Sequence, residues 1–190
     1  HFEKTFAFSP AETIAGIETL LETYVHQKIL VGGSNRPSPG EVSKLLADHQ
    51  VDFFQTTPSF MNLMSASGQM PPLTLKKIAY GSEPSQKTVL ENFKKTLPDL
   101  EFMHTYGMSE IGIQKTVTDQ ENPYRFHLDQ DFNPARIVEG ILEVRSKTPM
   151  LCYLNHPDKV STDGWFRTGD MVTEENGYLK VTGRDSDLIN

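Results

Sequence analysis

The first hundred residues alternate short β runs with stretches of helical periodicity, and that alternation restricts the chain more than any other feature. Phe6-Ala7-Phe8 reads as a strand end. Ser9-Pro10-Ala11-Glu12 then supplies an N-cap hydroxyl, a proline at the first helical position and a capping-box acid. Ile14, Ile17, Leu20, Leu21 and Tyr24 recur at helical spacing. Lys28-Ile29-Leu30-Val31 is the next β run, ended by Gly32-Gly33. Ser38-Pro39-Gly40-Glu41 repeats the helix-start chemistry ahead of Val42, Leu45 and Leu46. Val51-Asp52-Phe53-Phe54 is a strand, and Thr57-Pro58 opens a helix with Phe60, Met61 and Met64 turned inward. Leu75 to Tyr80 is a strand running into Gly81-Ser82-Glu83-Pro84, after which Ser85 is expected to cap a helix carrying Val89, Leu90 and Phe93. Strands separated by helices predict a mostly parallel sheet with flanking helices, an α/β architecture.

Past Thr116 the helical periodicity is lost. Gly140 to Arg145 alternates like a half-buried strand. Met171-Val172-Thr173 and Tyr178 to Val181 flank Asn176-Gly177, a strong hairpin signal. The expected organisation is an α/β part over residues 1–116 and a β-rich part over 117–190, a small antiparallel sheet or partial barrel. The two are read as subdomains sharing one site.

Composition narrows the function. A formal net charge of −7 argues against a nucleic-acid surface, which shows a basic stripe. The one cysteine, Cys152, rules out an internal disulfide framework and fits a reducing compartment, so the cytoplasm is expected. No apolar segment approaches the length of a membrane span, and the N-terminus lacks a signal-peptide pattern. The six histidines show no metal-ligand spacing, which excludes a zinc site from the expectations.

Polar residues that suit a nucleotide cluster at expected strand ends, where ligands bind in open α/β sheets. Leu100-Glu101-Phe102-Met103 reads as a buried strand, and Thr105-Tyr106-Gly107-Met108-Ser109-Glu110 follows it. A ring there can lie on a purine, a hydroxyl can reach a phosphate, and a carboxylate suits Mg²⁺. Gly81 lets backbone approach a flat ligand closely. Gly81–Pro84 and Thr105–Glu110 are read as the loops of two adjacent βα units. Asp170, in the turn from Gly164 to Asp170, can use both carboxylate oxygens on vicinal hydroxyls, as acidic residues do on ribose. Arg184 offers a guanidinium fork for hydroxyl or phosphate oxygens. The structural alternatives are a plain strand-to-helix turn at Gly81, a self-satisfied turn carboxylate at Asp170, and an ion pair of Arg184 with Asp185 or Asp187.

Four segments in this order resemble the AMP-forming adenylating enzymes, a family that includes acyl-CoA synthetases, adenylation domains of nonribosomal peptide synthetases, and luciferases. They are Gly81-Ser82-Glu83-Pro84, Thr105 to Glu110, Gly164 to Asp170, and Gly183-Arg184 with Ser186-Asp187-Leu188-Ile189. Pro58, within Thr56-Thr57-Pro58-Ser59, also looks like a family position. The resemblance implies that Gly81, Ser82, Glu83 and Pro84 line an adenine pocket and that Tyr106 stacks on adenine. It implies that Ser109 contacts the α-phosphate, Glu110 binds Mg²⁺, Asp170 holds the ribose hydroxyls, and Arg184 lies close to the ribose. Ser109 and Glu110 are then the residues nearest the chemistry. Ser186 falls at the family's hinge, where Asp or Lys is common.

What the resemblance implies about activity is ATP-dependent activation of a carboxylic acid as an acyl-adenylate, followed by transfer to a thiol of CoA or of a carrier protein. ATP and AMP with Mg²⁺ are the implied ligands. Peptide-synthetase members place an Asp for the substrate's α-amine where Ser9 stands here, so the resemblance favours an aryl, fatty or other organic acid over an amino acid. His104 and Met108 are candidate pocket residues. An amino-acid-activating adenylation domain and a catalytically inactive nucleotide-binding piece are the alternatives. The family's glycine-rich phosphate loop with its lysine is not found, since Gly32-Gly33-Ser34 lacks both spacing and lysine. The chain is therefore expected to be a middle piece of the large N-terminal domain, cut at the hinge and inactive in adenylation by itself.

Overall fold

The computed structural model describes residues 2–155 and 163–187. The chain forms two compact units, 1–103 and 104–190. The first holds a five-stranded sheet in the order β2-β1-β3-β4-β5. Strand β1 (Lys4–Ala7) runs parallel to β2 (Ile29–Gly32) and to β3 (Phe53–Thr56), and β3 runs parallel to β4 (Lys77–Tyr80). Strand β5 (Glu101–His104) flanks β4. Helices α1 (Ile14–Val25), α2 (Pro39–Asp48), α3 (Pro58–Ser67) and α4 (Lys87–Thr96) connect the strands. Phe6, Phe54, Ile78 and Phe102 are buried along the sheet, with Leu46, Met61, Met64 and Phe93 supplied by the helices. Each such side chain contributes roughly 1.5–3 kcal/mol on burial.

Two helices start where the sequence places them. Ser38 caps α2 by accepting from the Glu41 N–H, and Thr57 caps α3 by accepting from the Phe60 N–H. Two do not. The first helix begins at Ile14, with Thr13 rather than Ser9 as its cap, because Pro10 closes a turn onto the N–H and hydroxyl of Thr13. A Cβ at Gly16 would lie 2.0 Å from the Pro10 carbonyl oxygen, so only glycine lets the helix meet that turn. The last helix begins at Lys87, with Gln86 at the cap position and no side-chain cap bond, so Ser85 is not a cap. The first helix also turns its small and polar side inward. Gly16, Thr19 and Thr23 are buried, while Ile17, Leu21 and Tyr24 are exposed.

The described residues of the second unit form β-strands and one short 3-10 turn at Asp185–Asp187. Its larger sheet has six strands in the order β10-β11-β12-β13-β9-β8 and forms a partial barrel. These are β8 (Thr116–Thr118), β9 (Phe126–Leu128), β10 (Ala135–Val138), β11 (Ile141–Val144), β12 (Phe166–Glu175) and β13 (Tyr178–Arg184). Their pairings are antiparallel. Asn176-Gly177 makes the β12–β13 turn, as its sequence requires. All four residues of β11 are buried rather than alternating, because Glu143 is shielded by Arg136 and Arg167. Tyr106, Ile111, Phe126, Leu128, Leu142, Val144, Phe166, Val172 and Leu179 form the core. The parallel sheet with helices and the antiparallel partial barrel together match the fold class expected from the sequence.

Candidate functional site

In the first unit, Gly81–Pro84 leaves the carboxyl end of β4 and leads to α4. Gly81 is buried, and Ser82 holds a left-handed backbone with φ 71°. That conformation costs a non-glycine residue roughly 1–2 kcal/mol, and such strain concentrates at binding sites. The Glu83 carboxylate is committed elsewhere. Its oxygens accept the Ser59 N–H at 2.6 Å and the Ser59 hydroxyl at 2.8 Å. Ser59 lies in the first turn of α3, so Glu83 satisfies an orphan donor there and meets the positive end of the helix dipole.

In the second unit the stretch after β5 is not a strand-to-helix loop. Tyr106–Met108 is a strand, β6, and it pairs antiparallel with β7 (Gly112–Gln114). The stretch from Thr105 to Glu110 is therefore half a hairpin, and no α-helix follows β5 among the described residues. Gly107 explains the sequence requirement. A Cβ there would lie 2.6 Å from the Gly112 carbonyl oxygen and 2.7 Å from the Ile113 Cα. Ser109 and Glu110 fall in the turn, Ser109 exposed and Glu110 half-buried.

Tyr106, Asp170 and Arg184 meet. The Tyr106 hydroxyl donates to Asp170 Oδ2 at 2.7 Å, and Arg184 Nε pairs with Asp170 Oδ1 at 2.9 Å. Strand register makes the second contact, since Asp170 and Arg184 are direct partners across β12 and β13. Arg184 thus pairs with Asp170, rather than with Asp185 or Asp187 as the structural alternative had it. Thr168 Oγ1 accepts the Asp170 N–H at 3.0 Å and steadies that carboxylate's backbone. Asp170 is 6% exposed, whereas the Arg184 side chain is about half exposed. A carboxylate has about four lone-pair sites. Two contacts leave capacity for hydroxyl donors.

The Tyr106 ring is 7% exposed and stacks on Phe126 with centroids 5.4 Å apart and planes at 21°. One ring face is thereby covered. Burial, and then the adjoining charge of Asp170, push the Tyr106 hydroxyl well above the ordinary tyrosine range. It stays protonated and donates. His104 is buried beside Phe126, and burial lowers its pKa to about 4. It is neutral at physiological pH and packs in the core. Met108 is partly buried against the same core.

Glu110 is held from several sides. Its backbone carbonyl accepts the Met150 N–H at 2.8 Å, and its Oε1 accepts the Tyr153 hydroxyl at 2.7 Å. Groups of three or more His, Cys, Asp or Glu suited to a metal do not occur among the described residues. Mg²⁺ that accompanies a nucleotide takes most of its ligands from phosphate and water, with one or two protein carboxylates. A single hard carboxylate in a partly open turn fits that donor set. Tyr153 and Phe126 escaped sequence reasoning because each acts over a long separation, 43 residues between Tyr153 and Glu110. No local pattern marks them. Of the fourth motif, Leu188 and Ile189 lie outside the described residues.

The described residues thus combine a parallel sheet with flanking helices, an antiparallel partial barrel and a tyrosine–aspartate–arginine cluster. The chain belongs to the AMP-binding enzyme family, whose model matches residues 4–133. It is 26% identical over 79% of its length to 4-coumarate–CoA ligase-like 3 of Oryza sativa subsp. japonica, covering 30% of that protein. It is 25% identical over its whole length to Triostin synthetase I of Streptomyces triostinicus, covering 40% of that protein. The chain therefore spans well under half the length of these relatives. Its fold is similar to the luciferase-like enzyme of the nonluminescent Zophobas morio mealworm, with a TM-score of 0.79 at 15% identity over 98% of this chain and 50% of that one. It is also similar to the O-succinylbenzoate coenzyme A synthetase of Bacillus subtilis in complex with AMP, with a TM-score of 0.77 at 20% identity over 98% of this chain and 42% of that one. No helix among the described residues is long and apolar enough to cross a membrane.

Proposed function

We propose that the protein, at its full length, uses ATP to convert a carboxylic acid into an acyl-adenylate and passes the acyl group to a thiol of CoA or a carrier protein. The observation that carries this reading is the cluster of Tyr106, Asp170 and Arg184 on paired strands, in a chain of the AMP-binding enzyme family. In this reading Asp170 accepts from the two ribose hydroxyls while Arg184 and Tyr106 hold its carboxylate in place. Tyr106 is the proposed stacking residue for adenine, and Gly81, Ser82, Glu83 and Pro84 are proposed adenine-pocket residues. Ser109 donates its hydroxyl to the α-phosphate. Glu110 is the proposed Mg²⁺ ligand, and a bound Mg²⁺ would supply charge neutralisation to the phosphates.

The reaction is a displacement. A carboxylate oxygen of the acid bonds to the α-phosphorus, the bond from that phosphorus to the bridging oxygen breaks, and pyrophosphate leaves. A thiolate then attacks the acyl carbon and AMP leaves. Catalysis of this kind rests on positioning and charge stabilisation rather than on a protein nucleophile. Ser9, at the position the family's peptide-synthetase members fill with Asp, offers no charge to an ammonium, and burying one unpaired is costly. An organic acid without an α-amine is the preferred substrate, and the cytoplasm, where ATP and CoA are found, the proposed location.

Pyrophosphate exchange into ATP by the full-length protein, across aryl, fatty and amino acids, tests this reading. Exchange should appear with at least one non-amino acid, and Glu110→Gln should reduce it by about 100-fold with the fold intact, about 3 kcal/mol of transition-state stabilisation. Exchange with none of the acids sinks the proposal. Wild-type exchange by Glu110→Gln at limiting Mg²⁺ removes Glu110 from it.

A further inference from the structure

The segment 146–153 clasps the turn that carries Glu110. Three consecutive carbonyls of that turn are occupied. Glu110 O accepts the Met150 N–H at 2.8 Å, Ile111 O accepts the Ser146 hydroxyl at 2.7 Å, and Ile111 O and Gly112 O accept the Gln114 amide at 2.7 and 3.0 Å. The turn is closed by the Ile111 N–H on Met108 O at 3.1 Å. Gln114 is itself buried. The backbone under Glu110 is therefore fixed from one side by its own hairpin and from the other by a segment about forty residues away. The side chain is fixed as well, because the Tyr153 hydroxyl donates to Oε1 at 2.7 Å. Oε2 takes no hydrogen bond among the described residues, so one oxygen is pinned and the other is left for a ligand.

We propose that Tyr153 is a positioning residue that orients the Glu110 carboxylate toward a divalent cation held with the nucleotide. The inference rests on the reading of Glu110 as the metal-binding carboxylate. Groups that hydrogen-bond a ligating carboxylate fix its orientation, and their loss costs metal affinity roughly 10–100-fold. A carboxylate on a turn otherwise samples several rotamers, and the tyrosine restricts it before the cation arrives.

The test uses Mn²⁺ as a spin-visible probe, with binding of Mn²⁺ to the full-length protein followed by electron paramagnetic resonance at saturating ATP. Tyr153→Phe keeps the ring and removes only the hydroxyl, at a partly exposed position. It should weaken nucleotide-dependent Mn²⁺ binding roughly tenfold, with metal-free AMP affinity and melting temperature close to wild type. Glu110→Gln should weaken Mn²⁺ binding at least as much, and adding Tyr153→Phe to it should change nothing further. If Glu110→Gln weakens Mn²⁺ binding and Tyr153→Phe does not, Tyr153 is not a positioning residue and the reading of Glu110 stands. If neither variant changes Mn²⁺ binding, or the wild type binds none with ATP, the metal-binding reading of Glu110 falls and this inference falls with it. A loss of melting temperature in Tyr153→Phe with unchanged Mn²⁺ binding would make its role structural and overturn the proposal.

Discussion

Four carboxylates, two in each unit, are held in two different ways. In the first, Asp52 accepts the backbone N–H groups of Glu3 and Lys4 at 3.2 and 3.0 Å, and Glu83 accepts the backbone N–H and hydroxyl of Ser59. In the second, Asp170 accepts from Tyr106 and Arg184, and Glu110 accepts from Tyr153. A carboxylate bonded to backbone is a staple, because its partners cannot turn away without unfolding a strand or helix end. A carboxylate bonded to side chains keeps its charge oriented while its partners retain rotamer freedom. The second arrangement suits a ligand, and the first suits the fold. The difference separates Asp170 and Glu110 from Glu83, although all three sit in motifs of the same family.

Acid should give the largest effect. His104, in the second unit, is buried and neutral, with its pKa lowered from 6.5 to about 4. The unfolded chain takes up the proton that the fold refuses, so the stability contributed is fully present above pH 6.5 and is lost as pH falls to about 4. That gap corresponds to roughly 3 kcal/mol. In the first unit the backbone N–H groups on Asp52 outweigh the effect of its burial and hold its pKa below 3.8, so its contribution survives until the pH falls under that value. Fluorescence of Trp165, the single tryptophan and a residue of the second unit, should therefore report destabilisation beginning near pH 6.5. Amide exchange in β3 should not follow until more acid conditions. His104→Gln should flatten the profile between these values, and an unchanged profile in that variant would break the assignment.

Next in size are the carboxylate deletions. Asp52→Ala should lower the stability of the first unit by about 2–3 kcal/mol, since it strands two backbone donors at the start of β1. Asp170→Ala should lower that of the second by about 1–2 kcal/mol, because it strands one buried donor, the Tyr106 hydroxyl, while the half-exposed Arg184 returns to water. AMP binding should respond in the opposite order, abolished by Asp170→Ala and hardly changed by Asp52→Ala. Urea unfolding and calorimetric AMP titration of the same variants read both scales, and a matching order on the two would erase the distinction.

The smallest effect belongs to Glu83. Glu83→Gln keeps one acceptor for Ser59 and removes the charge at the start of α3, so it should cost under about 1 kcal/mol. A loss of several kcal/mol in urea unfolding would mean that the staple carries more of the first unit than its exposure suggests.

How much of this was legible in the sequence can be judged residue by residue. Period and punctuation placed the four helices and the strands between them, because amphipathic spacing and cap residues act within a few positions. Ser38 and Thr57 cap their helices for that reason. Thr13 displaced Ser9 because a proline carbonyl turned back on the chain, and α1 exposed its apolar stripe because Gly16, Thr19 and Thr23 form the side that packs. Neither outcome has a local signature.

The sequence alone determined the fold class, the β hairpin at Asn176-Gly177 and the family motifs, all of which rest on short-range stereochemistry or on residue types in order. Tertiary structure decided what each polar group holds. Strand register set Arg184 against Asp170 rather than against its neighbours in sequence. A close approach of β7 turned the stretch after β5 into a hairpin. The 146–153 segment reached Glu110 across 43 residues between Tyr153 and its carboxylate. Hydrogen bonds of a buried or half-buried carboxylate go to whatever donors packing brings within about 3 Å, and packing is a property of the whole chain.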